Sequence, residues 1–245
     1  MNALQRHWDT RAALNFMLGG AGSGLMVVTP FFAVDPAIPV VLSLVLIAAG
    51  LGAVWLETGR KARALHVLFN PFTSWMTRES FAALLVFPLA AGSIFVPAAA
   101  PFAAAAALAF LWCQARILRA AKGIPAWRAP QIVPLIVFTG LAEGAGLALL
   151  FSAHNLLVAF FALALAARCV AWLRYRAAVK SEALEPAGRA LVWIGTALPL
   201  ALVLVTPLAG LFALAAGWWL KHALVTRASF NQGFSLPHLP VRGTR

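Results

Sequence analysis

The run PAIPVVLSLVLIAAGLGAVWLE, residues 36–57, decides what kind of protein this is. It stays apolar over the length of a bilayer-spanning helix, which needs about 20 such residues, and meets no charge before Glu57 at its end. Continuous runs of this kind exclude a strand-type barrel, whose segments alternate. Working outward, similar runs occupy 11–33, 79–98, 101–118, 130–151, 154–173, 189–206 and 207–226, with Pro101 and Pro207 marking the tightest turns. The expectation is an all-α integral membrane protein, an eight-transmembrane-helix bundle built from residues 1–226, followed by an extended tail at 227–245. Composition agrees: 62% of the 245 residues are hydrophobic and 11% charged, whereas soluble proteins run at about 45–50% apolar and about 25% charged. A cytosolic enzyme, a disordered chain and a secreted disulfide scaffold are excluded. The start, MNALQRHWDTR, leads into a full-length span and does not read as a cleavable signal peptide.

The chain carries 19 Lys and Arg against 7 Asp and Glu, a formal charge of +12. In so apolar a sequence this excess reports orientation rather than nucleic-acid binding. The basic residues fall before the first span, between the second and third, after the fourth, between the sixth and seventh, and at the end of the chain. The connections around Asp35, residues 98–101, residues 152–155 and Thr206–Pro207 carry none. By the positive-inside rule both termini are expected in the cytoplasm, with the chain multi-pass in a bacterial inner membrane. The tryptophans share this asymmetry, since Trp8, Trp55, Trp75, Trp127, Trp172, Trp193 and Trp218–Trp219 all fall toward the same side and Trp112 alone nears mid-span. Interfacial anchoring accounts for a single tryptophan; their one-sidedness points to a partner or an aromatic-lined pocket on the inner face.

The inner connections are also the long ones. Residues 59–79, GRKARALHVLFNPFTSWMTRE, begin basic, pass through Asn-Pro punctuation and offer Thr77 as an N-cap for the third span. The tail RASFNQGFSLPHLPVRG, 227–243, mixes apolar residues with Pro and Gly; it reads as an extended strap along a soluble partner on the cytoplasmic face. Small residues in GGAGSG, 19–24, and between Gly140 and Gly144 have the spacing that lets helix backbones approach closely. Asn15 stands just before the first of these clusters, and an amide inside a membrane wants a partner.

NFMLGGAGSGL (15–25), the 59–79 loop, GIPAWRAPQIVPLIVFTGLAEGAGL (123–147) and the tail FNQGFSLPHLPVRG together resemble the polysulfide reductase/dimethyl sulfoxide reductase family of integral membrane anchor subunits. Within it the sequence is most similar to the membrane subunits of phenylacetyl-CoA:acceptor oxidoreductases. The resemblance implies a docked iron–sulfur subunit, a molybdopterin catalytic subunit beyond it, and a quinone site, for ubiquinone or menaquinone, near the docking face. Electrons would pass between the clusters and the quinone, for a cytoplasmic substrate such as phenylacetyl-CoA. No haem or iron–sulfur cluster is expected in this chain: His7, His66, His222 and His238 lie in or beside inner loops, His154 lies at the outer end, and Cys113 and Cys169 are isolated.

A quinone site needs hydrogen bonds to two ring oxygens, a proton source and apolar walls. The candidates near the inner face are Asn15, Trp55, Glu57, Arg60, His66 and Gln114. Asn15 matches the family's helix-one amide, which the resemblance places against the quinone head group. Some relatives carry a further polar residue one turn on, where this chain has Leu18. Glu143, deep in the fifth span, is a candidate for a proton path, since a carboxylate there is costly unless paired or protonated. Pairing with Arg168 is disfavoured by their different expected depths. Two other classes stay open: a small secondary transporter, which usually shows a twofold internal repeat not found here, and a purely structural anchor.

Overall fold

The computed structural model describes residues 4–5, 8–32, 35–57, 61–152 and 154–231. Among them eight long helical segments follow one another: α1, Thr10–Phe32; α2, Ala37–Glu57; α3, Trp75–Ser93; α4, Pro97–Ala120; α5, Ile132–Ala148; α6, Asn155–Ala178; α7, residues 185–202; and α8, Ala209–Thr226. Four of these, α1, α2, α4 and α6, are long and apolar enough to cross a membrane by length and composition. The others are shorter or hold charge: α5 has 17 residues, α3 contains Arg78 and Glu79, α7 Glu185 and Arg189, and α8 Lys221. No strand forms among the described residues, where the sole ladder contact is a bridge between Leu4 and Phe230. Gln5 N–H donates to the Ser229 carbonyl beside it at 2.9 Å.

The packing is that of a bundle in lipid. Small side chains fill the interior, with Ala13, Ala21, Ala142, Ala145 and Ala213 wholly buried, while Phe31, Phe102, Leu163 and Leu204 face outward. Without a hydrophobic drive between helices, close backbone approach supplies the contact energy. At Gly24 an added Cβ would run into the Gly140 carbonyl and the Gly144 Cα, and at Gly146 it would meet Gly210 Cα at 2.9 Å. These glycines clamp α1 and α8 against α5, as the small-residue spacing in the sequence suggested.

Element boundaries differ from the sequence expectation where polar residues enter the bundle. The third helix starts at Trp75 rather than 79, and its N-cap is Ser74, whose hydroxyl accepts from Thr77 N–H at 3.3 Å. Thr77 is therefore not the cap; its own hydroxyl donates to the Val67 carbonyl and ties the preceding loop to the helix. The seventh helix begins at 185, not 189, and carries a π-helical turn at Trp193–Ala197. A second π turn, Asn15–Gly19, interrupts α1. Residues 61–69 form a 3-10 helix leading back toward α3. Most of the expected tail lies outside the described residues; of its start, Ala228 and Ser229 are buried against the rest of the chain.

Candidate functional site

The loop-rich end of the bundle holds a cavity of about 350 Å³ between α1, α2, α3 and the 61–69 turn. Trp8, Phe16, Leu51, Trp55, Val67 and Met76 make its walls apolar and aromatic, and Asn15, Glu57, Glu79 and Ser80 supply the polar groups. Trp8 is set in place by neighbours on both sides, its ring 4.9 Å from that of Trp127 and 6.0 Å from that of Phe16. The Trp127 indole N–H in turn donates to the Leu224 carbonyl at 2.9 Å.

Asn15 is the centre of the polar wall. It opens the π turn of α1, a rare helical irregularity that recurs at functional sites. Its Nδ2 donates to Glu79 Oε1 at 3.1 Å, and Gln114 Nε2 on α4 donates to its backbone carbonyl at 2.9 Å. Asn15 and Gln114 are 5% and 0% exposed, yet Oδ1 of the first and Oε1 of the second have no hydrogen-bond partner among the described residues. Buried polar atoms are nearly always paired, so two orphan acceptors beside one cavity mark a place where a ligand's donors fit. The hydroxyls of a quinol match that pair of acceptors, Asn15 Nδ2 is placed to donate to a quinone oxygen, and the cavity lies within the usual range for a small-molecule pocket, about 300–1,000 Å³.

Of the residues singled out from sequence, the structure brings Asn15, Trp55 and Glu57 to the cavity wall and sets Gln114 directly behind Asn15. His66 is exposed, its ring edge-on to Phe69 at 5.5 Å, and does not line the cavity. Arg60 lies outside the described residues. The residue that sequence reasoning missed is Glu79, which is 4% exposed and provides the second polar contact that Leu18 lacked. The signal was present in a carboxylate at the head of the third apolar run, but it read as the end of a loop.

Glu143 is paired, though not with the residue weighed for it. Lys221 Nζ lies 2.6 Å from Glu143 Oε2, and both side chains are wholly buried. Lys221 thus belongs to the bundle interior and not to the basic residues at the chain's end. Arg168 is likewise interior, donating to the carbonyls of Gly195 and Ala213 and lying 3.4 Å from the Thr196 hydroxyl. Among the described residues no cluster of three His, Cys, Asp or Glu side chains forms a metal-binding group.

No family model matches the chain. A curated relative is the third-lettered component of the sulfite dehydrogenase of Allochromatium vinosum, 29% identical over 182 residues that cover 58% of this chain. The match spans 55% of that relative, so this chain corresponds to about half its length. The fold and this likeness together make the chain similar to a subunit of a multi-subunit oxidoreductase, with several helices suited to a membrane.

Proposed function

We propose that this chain is the membrane anchor and quinone-reacting subunit of a molybdopterin/iron–sulfur oxidoreductase complex. The observation that carries the reading is the cavity at Asn15, with two enclosed acceptors lacking partners, an acidic neighbour in Glu79 and aromatic walls. A bound quinone would supply two-electron, two-proton redox chemistry. Asn15 orients the head group, with Gln114 holding its backbone from behind. Glu79 takes up or releases a proton at the carboxyl group that Asn15 fixes, and Glu57 stands at the second helix end beside the entrance. Trp8, Phe16 and Trp55 exclude water from the ring.

In this reading all eight helices span a bacterial inner membrane, both termini lie in the cytoplasm, and the iron–sulfur and molybdopterin subunits dock at the loop-rich end. The complex acts on a cytoplasmic substrate. Phenylacetyl-CoA is the substrate that the motif resemblance favours; sulfite is the one that the name of the relative favours. Assay of the purified complex with each substrate separates the two. The quinone role is tested by Asn15→Leu, which removes a donor and an acceptor without adding bulk. Quinone-coupled turnover is expected to fall by at least about tenfold, on the order of the 1–2 kcal/mol a membrane hydrogen bond can supply, while dye reduction by the soluble subunits persists. Equal quinone-coupled turnover in parent and variant membranes would place the site elsewhere.

A further inference from the structure

The polar wall of the cavity continues inward past Gln114. Asn15 Oδ1, Gln114 Oε1 and Glu143 Oε1 are three enclosed acceptors without a partner among the described residues. Lys221 of α8 stands near them, its Nζ 2.6 Å from the other oxygen of Glu143. The way from this ammonium to the cavity runs over bare backbone. A Cβ added at Gly20 would lie 2.5 Å from Lys221 Nζ and 3.6 Å from Gln114 Oε1. One added at Gly19 would lie 2.6 Å from Gln114 Nε2 and 3.3 Å from Asn15 Oδ1. Because neither position carries a side chain, the ammonium, the Gln114 amide and the Asn15 oxygen follow one another in methyl-sized steps along α1.

A pair that served only as a clamp would not need a row of unpaired acceptors leading away from it. Lysine has a flexible four-carbon stem and three donors, so its ammonium can trade one acceptor for the next. The charged groups that bear on it are Glu143 from α5 and Arg168 from α6. We infer that Lys221 is a proton donor to the occupant of the cavity, its ammonium leaving Glu143 and crossing the Gly20 gap to the oxygens of Gln114 and Asn15. The inference rests on the quinone reading of the cavity. In the step assigned to Lys221, one of its N–H bonds breaks as an O–H bond forms on a ring oxygen, and the two electrons come from the iron–sulfur subunit. The second proton enters from the cytoplasm past Glu79. Lys221, left as a neutral amine beside the Glu143 carboxylate, regains a proton through the same entrance.

Infrared difference spectra of the full chain in lipid nanodiscs, with and without a short-chain ubiquinone, read the Glu143 carboxylate directly. Its band is assigned by its loss in the double variant Glu143→Gln/Lys221→Met, which removes both charges together. Binding is expected to shift that band as the ammonium is drawn away, and Gly20→Ala, with a methyl group in the gap, is expected to bind the quinone and lose the shift. In native membranes, electron transfer from reduced viologen to the same quinone is expected to fall about a hundredfold in the double variant, the usual scale of a positioned general acid. If the double variant does not reach the membrane, Gly20→Ala decides by the same two readings. Binding that leaves the Glu143 band unmoved, or turnover equal to the parent, overturns the role of Lys221 alone. Failure of the parent chain to bind the quinone overturns the quinone reading and this inference with it.

Discussion

Glu143 and Lys221 show how a single buried pair changes the reading of a sequence. Both side chains are enclosed, with Gly20 of α1 and Gly217 of α8 leaving room for them. Removing one partner strands the other charge, which costs about 3–5 kcal/mol, while replacing both with apolar residues of similar size is often neutral or better. Lys221→Met is therefore expected to lower the thermal unfolding midpoint in detergent sharply, and Glu143→Leu/Lys221→Met to restore most of it. A single variant as stable as the parent would show that the pair is not held as the structure has it. Sequence alone exposed Glu143 as anomalous, because a carboxylate deep in an apolar run has no innocent explanation. It did not expose the partner, since Lys221 is 78 positions away and lies only a turn or so from a helix end, where a lysine ordinarily reaches water. Asn15 was legible for the same reason as Glu143. Glu79 was not, because whether it belongs to loop or helix depends on Ser74 capping the helix several residues before the apolar pattern begins.

At the scale of helices, the apolar runs were legible nearly throughout, and their ends were not. Each boundary error has the same physical origin: hydropathy stops a helix at its first charge, while a bundle extends it wherever a neighbour can accept that charge. α3 takes in Arg78 and Glu79, with Arg78 stacked over the Trp75 ring at 4.2 Å and donating to the Pro71 and Phe72 carbonyls. The π turns in α1 and α7 left no mark in composition, since the same residues form either helix. Close packing was legible from glycine spacing, and it gives a sharp test. At Gly24 a Cβ meets backbone atoms of α5 that cannot move aside, whereas at Gly92 nothing lies within 4 Å. Gly24→Ala is expected to cost about 1–3 kcal/mol, the usual penalty of overpacking, and Gly92→Ala close to nothing. Thermal unfolding of the two variants in the same detergent compares them, and equal midpoints would refute the α1–α5 contact.

For the whole molecule, the account joins one cavity to one orientation. The long connections at 58–74, 121–131 and 179–184 alternate along the chain with the short ones at 33–36, 94–96, 149–154 and 203–208. The cavity opens at the end where the long ones gather. With the basic loops on that same side, a reporter fused after Arg245 is expected to be active only as a cytoplasmic reporter, and one inserted at Asp35 only as a periplasmic one. The reverse pattern would move the docking face out of the cytoplasm. The central claim is that the Asn15 cavity holds a quinone, and photolabelling tests it most directly. Native membranes illuminated with an azido-ubiquinone and digested for mass spectrometry should yield label on peptides from residues 8–17, 51–57 or 76–80, suppressed by excess ubiquinone and lost in Asn15→Leu. Competable label confined to the region of Trp193 and Trp218, unchanged in that variant, would contradict it.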